Sequence, residues 1–230
     1  MGGGSDLIAG LTVWALPVLI AVTLHEAAHG YVAYMLGDDT AKRQGRLTLN
    51  PLAHVDPFGT VILPLMLFLL PGGFLFGYAK PVPVNTGRLR NPKRDMIWVA
   101  LAGPGANLAI AVIAALLLYT TAIVPDGLKP WYGRTLDNAI LFNCLLAVFN
   151  MLPVPPLDGG RVLAGLLPPR QAWQLGRIEP YGIFVVLGVL FLLPILFRTV
   201  GVGINPAELL VWRPTIYLYS QVLTVMGLAA

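Results

Sequence analysis

The residues best suited to chemistry are His25, Glu26 and His29, in the stretch Leu24-His25-Glu26-Ala27-Ala28-His29-Gly30. Histidines four positions apart lie about one turn apart on the same face of a helix. With a glutamate directly after the first, they form the H-E-x-x-H pattern. It offers two imidazole ligands to zinc and a carboxylate beside the metal to handle a proton. Catalytic zinc usually takes three protein ligands and keeps a further position open. The third ligand must therefore come from elsewhere, as His, Asp or Glu. Glu26 neighbours the ligands but faces differently on the helix, which suits a base. Asp158 lies in the Pro- and Gly-broken segment Asn150 to Gly160 and is the preferred third ligand. Irregular backbone at membrane depth is tolerated only where it lines protein or a cavity. His54 lies in a loop that can fold back, and is expected as a polar group near the site. A helix cap for Asp158 and an ordinary loop histidine for His54 are the plainer readings.

The motif sits inside an apolar run, Leu7 to Met35, long enough to cross a bilayer. Histidine and glutamate at that depth are costly, so such a cluster marks a functional site by default. The whole chain matches this setting. It is 57% hydrophobic and 11% charged, against about 25% charged in a soluble domain. The net charge of +4 does not require a nucleic-acid partner, because Lys and Arg collect in the cytoplasmic loops of membrane proteins. One cysteine, Cys144, excludes an internal disulfide framework and a Cys-rich metal site. The first residues show no signal-peptide pattern.

The fold expected is an all-α polytopic membrane protein, one unit over 1–230, with about five full transmembrane helices. These are 7–36, 96–124, one from about 140 to the break at Asn150, 181–197 and a weaker one at 207–228. Residues 7–165 form the catalytic core and 180–228 the accessory C-terminal helices. The apolar segment 58–76 is broken by Pro64 and by Pro71-Gly72-Gly73. Its longest unbroken part would reach roughly 18 Å as a helix, short of a hydrocarbon core about 30 Å thick. It is expected to be short or re-entrant. Alternation around Arg46-Leu47-Thr48-Leu49, and the extended Lys80-Pro81-Val82-Pro83-Val84, suggest short strands on the cytoplasmic side.

Charge tests the topology. With 58–76 re-entrant, loops 37–57, 78–95 and 161–179 share one side and carry eleven Lys and Arg, against four in the loops opposite. With 58–76 spanning, the split is seven against eight. The positive-inside rule favours the first arrangement, with the basic loops cytoplasmic. It also brings the second half of the first span and Asp158 to one side. Loop 80–94 reads as a topology signal and headgroup contact. Asn107 and Asn150 read, on their own, as hydrogen-bonding residues between helices.

Three motifs in order carry a family resemblance: His25-Glu26-Ala27-Ala28-His29, then Gly103-Pro104-Gly105-Ala106-Asn107, then Asn150-x-x-Pro153 with Leu157-Asp158-Gly159-Gly160. Together they resemble the site-2 protease family of intramembrane zinc metalloproteases. The segments 50–59 and 79–85 look like its compact prokaryotic branch, without PDZ or CBS domains. The resemblance covers residues 7 to about 165. It implies one zinc ion held by His25, His29 and Asp158, with Glu26 as catalytic acid/base. It implies that Asn150 orients the substrate backbone near the metal, and it places Pro153, Asn107 and His54 as substrate-binding or supporting residues. The implied substrate is a membrane protein with a transmembrane helix, in the cytoplasmic membrane. The rival reading is a metal-ion transporter. Such a protein would show ionisable residues staggered along a route, and an internal repeat; the sequence has one cluster and no visible repeat.

Overall fold

The structure is a computed structural model that describes residues 3–57, 62 and 80–228. Apart from Ile62, the segment 58–76 lies outside the described residues. The described chain contains nine α-helices: α1 (Gly3–Met35), α2 (Thr40–Arg43), α3 (Pro92–Leu118), α4 (Lys129–Asn150), α5 (Asp158–Leu166), α6 (Pro169–Gly176), α7 (Gly182–Leu187), α8 (Leu193–Thr199) and α9 (Arg213–Val225). Single π-turns, Gly188–Leu192 and Glu208–Trp212, join α7 to α8 and lead into α9. Helices α1, α3 and α4 pack on one another, α5 packs on α3, and α9 on α4.

Three helical stretches are long and apolar enough to cross a membrane: Thr12–Met35, Pro92–Ile123 and Pro169–Thr199. Their large apolar side chains face outward, as with Leu16, Leu19, Ile113, Leu116, Phe184 and Ile195. Their buried faces carry small or polar residues, among them Ala21, Ala33, Ala111, Ala115 and Asn107. Lipid is as apolar as leucine, so small residues that let backbones approach are what helix contacts in a membrane favour. The other two expected spans fall in helices that begin with charge. Helix α4 opens eleven residues before Ile140, with Lys129, Arg134 and Asp137 in its first half. Residues 125–137, one of the two loops counted as opposite in the charge comparison, are therefore helical from Lys129, where Pro130 suits the first turn. Two polar contacts hold this half to α1: Asn138 Nδ2 donates to Val13 O at 3.0 Å, and Trp131 Nε1 to Thr12 Oγ1 at 2.9 Å.

The described residues contain no strand, which corrects the expectation for 46–49 and 80–84. The extended residues 80–85 pair instead with side chains and single carbonyls. Lys80 N–H donates to His54 O at 2.9 Å, and Arg46 Nη2 to Lys80 O at 2.8 Å. Pro81 and Pro83 have no N–H to give a ladder.

The end of α1 is set by Gly37, at φ +111°, a conformation that favours glycine. Asp38 N–H reaches Ala33 O at 2.9 Å and Gly37 N–H reaches Tyr34 O at 3.1 Å, the paired bonds of a Schellman motif. This turn aims the buried Asp38 carboxylate at Asn85 N–H, 2.6 Å away. Arg90 N–H adds a bond to Leu36 O at 3.1 Å, and Arg88 pairs with Asp39 at 2.5 Å. Desolvation pushes the Asp39 carboxyl up, but Arg43 and Arg88 outweigh it and hold it below the usual carboxylate range. Residues 80–90 thus form a strap across the end of α1.

Candidate metal centre

Helix α1 puts His25 and His29 on its buried face, 7% and 6% exposed. Their rings meet edge-on, centroids 4.7 Å apart. Each Nδ1 has a partner on α3: His29 Nδ1 lies 2.7 Å from Val99 O, and His25 Nδ1 lies 2.6 Å from Asn107 Oδ1. A carbonyl can only accept, so His29 carries its proton on Nδ1, and its Nε2 in the neutral ring is a bare lone pair. Pro104 lies one turn beyond Val99 and Ala100 in α3; a proline there withholds the N–H that Ala100 O would otherwise take. The carbonyl beside it is the one that takes His29.

Asp158 opens α5. Its position depends on Gly159 and Gly160, which let the helix start press against the turn that ends α4. A Cβ on Gly159 would lie 2.3 Å from Met151 O, and one on Gly160 2.3 Å from Pro155 N. Both obstacles are backbone and cannot swing away. So placed, Asp158 Oδ2 stands 3.2 Å from His25 Nε2 and 3.4 Å from His29 Nε2, and the two Nε2 atoms are 3.1 Å apart. Asp158 Oδ2 is buried without a hydrogen-bond partner.

That orphaned oxygen tests whether a metal fits. Three acceptor atoms converge, all within 4.8 Å of one another, on three buried residues. With both imidazoles neutral and protonated on Nδ1, none has a proton to share, and a buried acceptor left unmatched is costly. A cation satisfies all three, and two imidazoles with one carboxylate suit zinc. The space beside them is kept by Gly103 of α3, where a Cβ would sit 2.4 Å from His29 Nε2 and 2.5 Å from His25.

Glu26, half-buried on α1, is held from outside its helix. Its Oε2 accepts from Val82 N–H of the strap at 2.8 Å. Val82 also borders a groove of about 560 Å³, together with Val84, Met96 and Arg161.

The remaining expected residues divide. Asn107 is fully buried against His25. His54 is buried too, but it is not one of the converging ligands. Its Nε2–H donates to Thr48 O at 2.9 Å, and its carbonyl takes Lys80 N–H, which ties it to the strap. Asn150 ends α4 and donates to Leu146 O of its own helix at 3.1 Å. Pro153 is exposed in the turn before α5. Three residues had no expected role at the site: Asn143, fully buried and bonded to Asn107; Val82; and Gly103, which entered only as part of a motif. The signal for Asn143 was an amide amid the apolar residues of α4.

The chain matches the model of Peptidase family M50 over residues 13–129 and 132–194. The chain belongs to peptidase family M50. This is the site-2 protease family, and the chain is accordingly an intramembrane zinc metallopeptidase. Among its relatives is the "Putative zinc metalloprotease YwhC" of Bacillus subtilis, 41% identical over 184 residues, covering 78% of this chain and 80% of that protein. Rip2 of Mycobacterium tuberculosis, named in the same way, is 32% identical over 209 residues, covering 85% and 77%. "Zinc metalloprotease MJ0392" of Methanocaldococcus jannaschii is 24% identical over 173 residues, covering 74% and 40%. No solved structure matches. A transporter reading has no support: the described residues of this M50 peptidase hold one convergent ligand cluster.

Proposed function

We propose that this peptidase hydrolyses peptide bonds within or beside the transmembrane segments of membrane-protein substrates, at the cytoplasmic side of the cell membrane. His25, His29 and Asp158 hold the zinc ion and Glu26 is the acid/base. The observation that carries this reading is the convergence of three bare acceptor atoms beside Glu26 in a buried site. Bound there, zinc supplies Lewis acidity, acidifying water and polarising a carbonyl. Glu26 accepts the proton of the attacking water and gives it to the leaving amine as the carbon–nitrogen bond breaks and the carbon–oxygen bond forms. Val82 N–H keeps the carboxylate oriented for this.

A substrate helix must unwind before a peptide bond can reach the site, and each backbone group it frees costs several kcal/mol in lipid if unpaired. The extended residues 81–85 offer a partner strand for that backbone. Asn150 and Pro153, in the break before Asp158, orient it. Asn107 supports His25, and His54 steadies the strap. The arrangement is one domain of about five full spans, its accessory helices C-terminal.

The test is reconstitution with zinc and a model transmembrane substrate, comparing the wild type with Glu26→Gln. Cleavage should fall by roughly 10²–10⁴-fold while zinc stays bound. Wild-type protein that never cleaves, or a Glu26→Gln form that cleaves as well, overturns the assignment.

A further inference from the structure

We propose that Asn143 is a positioning residue for the metal centre, acting through Asn107 to fix which nitrogen of His25 faces the ion. This rests on the zinc-site reading above. The chain of bonds begins at a backbone carbonyl. Asn143 Nδ2 lies 2.8 Å from Ala139 O, one turn back on α4. A carbonyl only accepts, so the nitrogen of the Asn143 amide must point there. Its oxygen then faces Asn107, whose Nδ2 lies 2.8 Å away. Asn107 Nδ2 also has Ala21 O of α1 at 3.4 Å. Both neighbours of that end of Asn107 accept, so its nitrogen must be there and its oxygen must face His25. The His25 Nδ1 at 2.6 Å has then to donate. In the neutral ring this leaves Nε2, the atom facing Asp158, bare and ready for a cation.

Turning Asn143 over would set oxygen against oxygen at the Ala139 carbonyl, and turning Asn107 over would do the same at Asn143 Oδ1 and Ala21 O. Asn107 and Asn143 are both fully buried, so water cannot satisfy a wrong orientation. Asn143 therefore works at two removes from the ion, from a helix that supplies none of the three ligands. His29 needs no such relay, because a backbone carbonyl, Val99 O, fixes it directly.

The experiment uses the full chain in nanodiscs, with zinc affinity read by competition against a chelator and the His25 tautomer read by nitrogen-15 NMR of histidine-labelled protein. Wild-type apoprotein should show His25 protonated on Nδ1; protonation on Nε2 overturns the relay whatever the variants do. Asn143→Leu should keep its helix content and bind zinc roughly 10–100-fold more weakly. Asn143→Asp, kept protonated by its burial, donates its O–H to Ala139 O and keeps the other oxygen towards Asn107, so it should restore most of the affinity. Asn143→Leu added to Asn107→Leu should cost little beyond Asn107→Leu alone, because the two act in series. Additive losses, or wild-type affinity in Asn143→Leu, overturn the proposal. If the wild type binds zinc and loses it with His25→Ala, the zinc-site reading stands even where the relay fails; if the wild type binds none, both fall.

Discussion

At the scale of single residues, the site is defined as much by a missing side chain as by those present. Gly103 leaves the two Nε2 atoms open, and a methyl group there would lie 2.4 Å from one of them. Gly103→Ala should therefore lose zinc while keeping helix content, checked by metal stoichiometry beside circular dichroism. His54 gives the opposite result. His54→Ala should leave zinc affinity unchanged and lower stability by about 1 kcal/mol, the cost of a lost hydrogen bond to a half-buried carbonyl, checked by thermal unfolding. The three converging residues were legible in the sequence because spacing and residue type carry their chemistry: His25 and His29 share a helix face, and Asp158 is a rare carboxylate in apolar sequence. The partners of Nδ1 were not legible. Val99 acts through its backbone, which every residue has, and Asn143 reaches His25 only through a helix contact that no local pattern specifies.

At the scale of elements, the joints between helices carry the geometry. The turn 151–157 and the start of α5 fit together only because glycines meet backbone there, so Gly160→Ala should cost about 1–3 kcal/mol from overpacking, seen as a lower unfolding midpoint. The strap is the other joint. Val82→Pro suits extended backbone between two prolines, keeps an apolar side chain of similar size at this buried position and removes the N–H that holds Glu26. Cleavage should fall by roughly 10–100-fold, the equivalent of about 1.5–3 kcal/mol for a hydrogen bond to a charged group, with zinc content unchanged. The sequence pattern identified 80–84 as extended but assigned it to a ladder. Alternation reports which faces a segment shows, not what its amides meet, and Val82 N–H meets a carboxylate fifty-six residues away. The early start of α4 was hidden for a related reason: its charged first half looks like a loop until Asn138 and Trp131 are seen bound to α1.

At the scale of the whole molecule, apolar periodicity was enough to place three of the long helices, because lipid-facing surface is large and uniformly apolar. Orientation rests on the distribution of Lys and Arg, which can be tested. With Cys144 replaced, single cysteines at Arg90 and Arg170 should react with a membrane-impermeant thiol reagent from the cytoplasmic side only, and one at Arg134 from the opposite side only. The reverse pattern would invert the topology proposed here. One consequence follows for how the protein is judged in preparation. The residues proposed to hold the metal stand on α1 and α5, whereas Glu26, the proposed acid/base, is held by a strap anchored at Asp38, Leu36 and His54. Detergent or a tag that displaces this strap leaves the ion in place, so full metal loading is not a measure of competent enzyme.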